Sequence, residues 1–165
     1  MNKGQIQLGQ FLKDFSETVG LKKTALLRLS SFESVDIEQI KFDETLNELN
    51  KKNKEEFDMI FADLPFGMNR EPFLYDEKIK VKKNRNLLSI ALEKIKPNGT
   101  LFAVIEPAVY FSKLGKYFLD TLETKGSYCN LFLNVPEKIY QPQTAFNPIV
   151  IGFQGNKTDK LFIAE

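Results

Sequence analysis

The chain has no histidine and a single cysteine, Cys129, among its 165 residues. The first absence excludes Ser-His-Asp and Cys-His catalysis and argues against a zinc site. A lone cysteine excludes an intramolecular disulfide and fits a reducing cytoplasm. No apolar stretch approaches membrane-spanning length, and the opening Met1-Asn2-Lys3-Gly4-Gln5 leads into no apolar core of a signal peptide. A membrane is therefore not an expected partner. Neither sign of charge dominates: 23 Lys and Arg stand against 22 Asp and Glu, a formal +1, which neither supports nor excludes nucleic acid. What remains is ordinary for a soluble globular protein, with 42% hydrophobic and 27% charged residues. The length fits one domain, large enough to bury a core.

Hydrophobic spacing divides that domain into a helical segment over 1–33 and an α/β portion over 34–165. Leu8, Phe11, Leu12, Phe15 and Val19 fall at helical spacing, and Gly20 is a natural stop. Thr24 to Phe32 reads as a second helix carrying Leu26, Leu27 and Leu29. Val35 to Phe42 reads as a short strand, with Asp43 opening a helix towards Leu49. Lys51, Lys52 and Lys54 lie in a solvated connection. Met68 to Lys83 has no clear period and reads as a long loop. Leu87, Leu88, Ala91, Leu92 and Ile95 make an amphipathic helix, followed by a turn over Lys96–Gly99 and a buried strand over Thr100–Ile105. A helix around Leu114, Tyr117, Phe118 and Leu122 precedes strands near Tyr128–Val135 and Pro148–Phe153. Strands alternating with helices predict a parallel α/β sheet, and the last two strands, joined without a helix, predict an antiparallel edge.

The most informative segment is Phe57-Asp58-Met59-Ile60-Phe61-Ala62-Asp63-Leu64-Pro65-Phe66-Gly67. An apolar run bounded by turn residues fits a strand buried on both faces. Asp63, Pro65 and Phe66 would then lie at its carboxyl end, where open α/β sheets bind ligands. An acceptor, a rigid turn and a flat aromatic face suit a planar ring bearing an amino group. The same residues also make a sound turn: Asp caps loose amides, Pro fixes φ, and Gly accepts positive φ.

Taken with the downstream Val135-Pro136 to Tyr140-Gln141-Pro142-Gln143-Thr144 segment, this resembles the catalytic half of adenine-specific DNA methyltransferases. The likeness is greatest to the modification subunits of type I restriction systems, whose motif is Asn- or Asp-Pro-Pro-Phe/Tyr. It spans roughly residues 24–165, including Asn147–Gln154 and Lys160–Ile163 as closing strands. It implies a Rossmann-like α/β sandwich with a mixed sheet, S-adenosylmethionine as cofactor, and DNA and a specificity or other restriction-modification subunit as partners. The adenine must be flipped out of the duplex. By resemblance, Asp63 and the Leu64 carbonyl accept hydrogen bonds from its amino group, Pro65 shapes the turn, and Phe66 stacks on the base. Asp43 and Ala62 would face the cofactor, although Asp43 equally suits a plain helix cap.

Two departures stand out. Leu64 replaces the family's usual Pro; its carbonyl is still available, but the preset backbone is lost. The Gly-rich turn that holds the cofactor after the first strand is missing, since Gly4, Gly9 and Gly20 are isolated. The resemblance thus implies a sheet lacking its first strands, in a fragment of a longer enzyme or a natural truncation. The strand ending at Ala62 would then pair directly with Val35–Phe42, or remain an open edge favouring homo-oligomers. Lys78, Lys80, Lys82, Lys83 and Arg85 form the densest basic cluster. It reads either as a solvated loop and helix start or, with Thr144, as a phosphate-contacting DNA face. Two alternatives stay open: a non-catalytic relic that binds DNA or a subunit, and a methyltransferase acting on RNA bases or glutamine side chains.

Overall fold

Phe57–Asp63 is a strand, buried along its length except at half-buried Asp58, and the sheet is built around it. The computed structural model describes residues 14, 24–28, 38–41, 50–51, 54, 57–64, 66, 69–134, 147–158 and 162–164, with 24–28, 38–41, 162 and 164 described through their backbone. In chain order the strands are β1 (Thr24–Arg28), β2 (Glu38–Lys41), β3 (Phe57–Asp63), β4 (Arg70–Phe73), β5 (Asp76–Lys82), β6 (Ile95–Ile105), β7 (Tyr128–Asn134), β8 (Ile149–Gln154) and β9 (Phe162–Ala164). The helices are α1 (Lys83–Leu92), α2 (Ala108–Phe111) and α3 (Lys113–Thr124). Seven strands form one sheet in the order β2-β1-β3-β6-β8-β7-β9, and β4 and β5 form a separate hairpin. The β2-β1-β3-β6 half is parallel, whereas β8 runs antiparallel to both β6 and β7.

The mixed α/β sheet and the antiparallel β8–β7 pair follow the sequence reading, with β9 added outside β7 in parallel. Three expectations are corrected. Thr24–Arg28 is a strand, not the start of a helix, and it lies between β2 and β3. Neither direct pairing of those two strands nor an open β3 edge therefore occurs. The backbone of β3 presents unpaired groups that a parallel neighbour satisfies, and such pairing outweighs the local helical spacing of the leucines. Second, the expected loop over Met68–Lys83 contains the β4–β5 hairpin. Third, Ile95, expected on the helix that ends at Leu92, and the expected Lys96–Gly99 turn both belong to β6, which bulges there: Phe57 pairs with Ile95 but Met59 with Thr100, so two steps on β3 span five on β6. Gly99 is required there, because a Cβ would come within 2.8 Å of the Asp58 carbonyl oxygen. The Leu8–Val19 helix expectation lies outside the described residues, Asp14 apart.

One face of the sheet carries Ile60 and Ala62 from β3, with Leu64 just beyond it, Leu101, Ala103 and Ile105 from β6, and Ile149, Ile151 and Phe153 from β8. Against it pack Leu87, Leu88 and Ala91 of α1 and Phe118 and Leu122 of α3. Alternation along the strands puts Met59, Phe61, Asp63, Phe102 and Val104 on the other face, where they too are buried. The hairpin joins the first layer through Phe73 and Val81. Phe73 meets Phe118 at 5.7 Å and Tyr75 edge-on at 5.4 Å. Asn86 of α1 clasps the hairpin, accepting from Leu74 N at 3.0 Å and donating to the Pro72 carbonyl at 2.7 Å and to Glu71 at 2.8 Å.

Candidate active site

The chain turns from β1 outward to β2, then returns to the opposite side of β1 as β3. This reversal makes the carboxyl ends of β1 and β3 a topological switch point, where open α/β sheets leave a crevice for ligands. Asp63 lies in that position, its Cα in register with Arg28 on β1 and Val104 on β6. It is 2% exposed, Ala62 and Leu64 are equally buried, and Phe66 is half-exposed. Pro65, Asp43 and Thr144 lie outside the described residues. The sequence reading thus places Ala62, Asp63, Leu64 and Phe66 together at one strand end. Close backbone approach is not provided by glycine: the chain has none between Gly20 and Gly67.

A second acid ends the neighbouring strand. Glu106, just beyond β6, is 4% exposed and was given no role by the sequence reading. Its Oε1 lies 3.1 Å from Lys82 Nζ and 3.1 Å from an Arg85 guanidinium nitrogen, and its Oε2 accepts from Asn84 Nδ2 at 3.3 Å. Burial pushes the carboxyl upwards, but its own backbone amide, Lys82 and Arg85 together hold it below the ordinary glutamate range. A signal for Glu106 existed in the sequence: Ile105-Glu106-Pro107 repeats the pattern of an apolar strand, an acid and a proline.

This network divides the basic cluster. Lys78 and Lys80 are exposed, and Lys83 is half-buried. Arg85 is 3% exposed, held between Glu106 and the Phe118 ring at 5.7 Å. It offers no cation to a phosphate at the surface, and Lys82 shares its charge with the same carboxylate. The pair instead ties β5 and α1 to the end of β6. Lys83 N donates to the Asn69 carbonyl at 3.0 Å, so the segment that leaves the Asp63 turn returns to its starting point before α1 begins. A cavity of about 330 Å³ lined by Leu92, Lys96, Lys125 and Gln154 lies at the opposite end of β6, away from Asp63. Among the described residues, no helix is long and apolar enough to cross a membrane, and no cluster of three potential metal ligands occurs.

No protein-family model and no curated protein sequence matches the chain. Solved structures do. A protein assigned as a class I S-adenosylmethionine-dependent methyltransferase of Listeria monocytogenes superimposes with a TM-score of 0.65 at 12% identity, covering 95% of this chain. The modification subunit assigned to a type I restriction enzyme of Vibrio vulnificus gives 0.55 at 12% identity over 94% of the chain. The M protein of type I restriction enzyme EcoKI gives 0.53 at 16% identity over 77%. The chain spans 54%, 44% and 27% of the lengths of these three proteins respectively. The fold is that of S-adenosylmethionine-dependent methyltransferases.

Proposed function

We propose that the chain is the catalytic portion of an S-adenosylmethionine-dependent methyltransferase acting on the exocyclic amino group of adenine in DNA, within a restriction-modification system. The carrying observation is the buried Asp63 at the β1–β3 switch point, followed by the Leu64 carbonyl and the half-exposed Phe66 ring. When bound, S-adenosylmethionine supplies an electrophilic methyl group. Asp63 and the Leu64 carbonyl accept hydrogen bonds from the adenine amino group, which orients its lone pair and stabilises the positive charge that develops on nitrogen. Phe66 stacks on the flipped base, with Pro65 shaping the turn. Asp43 and Ala62 are the groups assigned to the cofactor side. None of these roles needs histidine or a metal. DNA and a specificity subunit are the partners, with Lys78 and Lys80 offering exposed charge and Lys83 half-buried charge.

A second reading, a non-catalytic relic that binds DNA or a subunit, is favoured by one observation: no glycine follows β1 to cradle the cofactor. Calorimetry with S-adenosylmethionine on this chain and on any longer natural form separates the two. Binding by the longer form, with transfer of a labelled methyl group to duplex DNA containing adenine, supports the enzyme. Binding by neither form supports the relic. Transfer to RNA or to a glutamine-containing peptide, but not to duplex DNA, would replace adenine in DNA as the acceptor.

A further inference from the structure

Phe111 is 84% exposed, the most exposed of the large apolar side chains among the described residues. Burying it elsewhere would have stabilised the fold, so its exposure is a cost that packing does not recover. Isolated exposed apolar residues are common on proteins. Two features set this one apart.

The first is rigidity. Val109, two residues before, is fully buried, and Tyr110 is tied to Cys129 Sγ at 2.8 Å and to the Phe132 ring at 5.3 Å. On the other side, Ser112 Oγ donates to the Ala108 carbonyl at 2.7 Å and accepts from Gly115 N at 2.9 Å. Gly115 is packed so tightly that a Cβ would collide with the Val109 carbonyl oxygen. The α2–α3 corner is thereby locked, and Phe111 is held outward between two anchored neighbours.

The second is position and charge. Two residues separate β6 from α2, and Val104 of β6 is the register partner of Asp63, so α2 starts from the same carboxyl edge of the sheet as the Asp63 turn. Lys113 and Lys116 beside it are exposed, and no acid occurs between Glu106 and Asp120. Both lysines sit in the first turn of α3, where the helix dipole disfavours cations. Folding gains nothing from that placement, whereas a phosphate chain would.

We propose that Phe111 is a stacking platform for an unpaired nucleobase next to the one held at Asp63, with Lys113 and Lys116 contacting the adjoining phosphates. An aromatic face flanked by exposed cations is the arrangement that holds single-stranded nucleic acid with little regard to sequence. The inference rests on the reading of the Asp63 site as one for a flipped base, but it is tested separately. The chain contains no tryptophan, so Phe111→Trp introduces a single indole reporter. Titration with fluorescein-labelled oligothymidylate is expected to quench that indole while the affinity stays near that of the unaltered chain. Phe111→Ala should weaken binding about tenfold without changing the slope of affinity against salt. Lys113→Gln with Lys116→Gln should instead lower that slope by about 1.4. Thermal melting of each variant should match the unaltered chain, since the three side chains are exposed. No binding by the unaltered chain, binding without indole quenching, or Phe111→Ala binding at full strength would each overturn the proposal. Quenching with no methyl transfer by this chain or by any longer natural form would remove the proposed enzymatic function and leave the platform. Methyl transfer together with a silent Phe111 would do the reverse.

Discussion

Two carboxylates, Asp63 and Glu106, close adjacent parallel strands at the same edge of the sheet. Glu106 is surrounded by Lys82, Arg85 and Asn84, which fix its charge and geometry. Changing Glu106→Gln leaves Arg85 buried without its counter-charge, which is expected to cost about 3–5 kcal/mol in urea unfolding at neutral pH. The pH dependence follows from the lowered folded-state pKa. The stabilisation is fully present above the ordinary glutamate value of 4.5 and is lost as pH falls through the folded value. Urea midpoints of the unaltered chain should therefore drop below pH 4.5 more steeply than those of Glu106→Gln, and the two curves should converge. Parallel acid limbs would show that Glu106 carries no linked stability. For Asp63 the proposed role is contact with the substrate amino group. On that proposal, Asp63→Ala should reduce the rate of methyl transfer by about 10²–10³, while Asp63→Asn, which keeps an acceptor oxygen, should retain more. Equal rates for the alanine variant and the unaltered protein would remove Asp63 from the chemistry.

The β4–β5 hairpin is the element on which the site's surroundings depend. It lies outside the main sheet and is held by the Asn86 clasp, the Phe73 cluster and the Lys82–Glu106 pair. Asn86→Ala would leave the Leu74 amide without that acceptor and is expected to cost about 1–3 kcal/mol. Hydrogen exchange should quicken across 70–82 while β3 and β6 keep their protection; uniform loss everywhere would mean the hairpin is no separate unit. This hairpin shows what sequence could and could not reveal. The Lys78-Ile79-Lys80-Val81-Lys82 alternation is a strand signal, with Ile79 and Val81 on the more buried side. It was obscured by charge density and by Pro72 in the opposite strand, so the stretch reads as a loop. Strand β3 and helix α1 were legible because their apolar spacing is unbroken. Strand β1 was not, because Thr24–Arg28 has leucines at spacing that suits either structure, and only the bare edge of β3 decides between them. The Asp63 turn was legible for a local reason, an acid and a proline at the end of an apolar run. Glu106 was missed because its significance depends on Lys82 and Arg85, 24 and 21 residues earlier, meeting it in space.

At the scale of the molecule, the near-zero net charge conceals an uneven distribution. The basic cluster contains both surface cations and a buried one, and these should respond to different measurements. Lys78→Gln with Lys80→Gln is expected to lower the salt slope of duplex DNA binding by about 1.8 with melting unchanged. Arg85→Gln should lower the melting temperature, because it removes a partner of Glu106 from the interior. An unchanged salt slope for the lysine pair would take Lys78 and Lys80 out of the DNA face. The parallel half of the sheet carries the switch point, and the antiparallel half carries the strands that support its far side. Between the Asp63 turn and α1, the chain enters the hairpin at Asn69 and leaves it at Lys83 across one 3.0 Å hydrogen bond. Whatever is built between those residues, the distance from entry to exit is fixed. Length can therefore grow here beyond the hairpin tip, without shifting the turn on one side or the helix on the other, whereas Phe73, Val81 and Lys82 tie the existing strand pairs to the core and to Glu106. A protein whose reach towards a bulky partner had to change over evolution could do so at this point, growing an arm while its floor stayed in place.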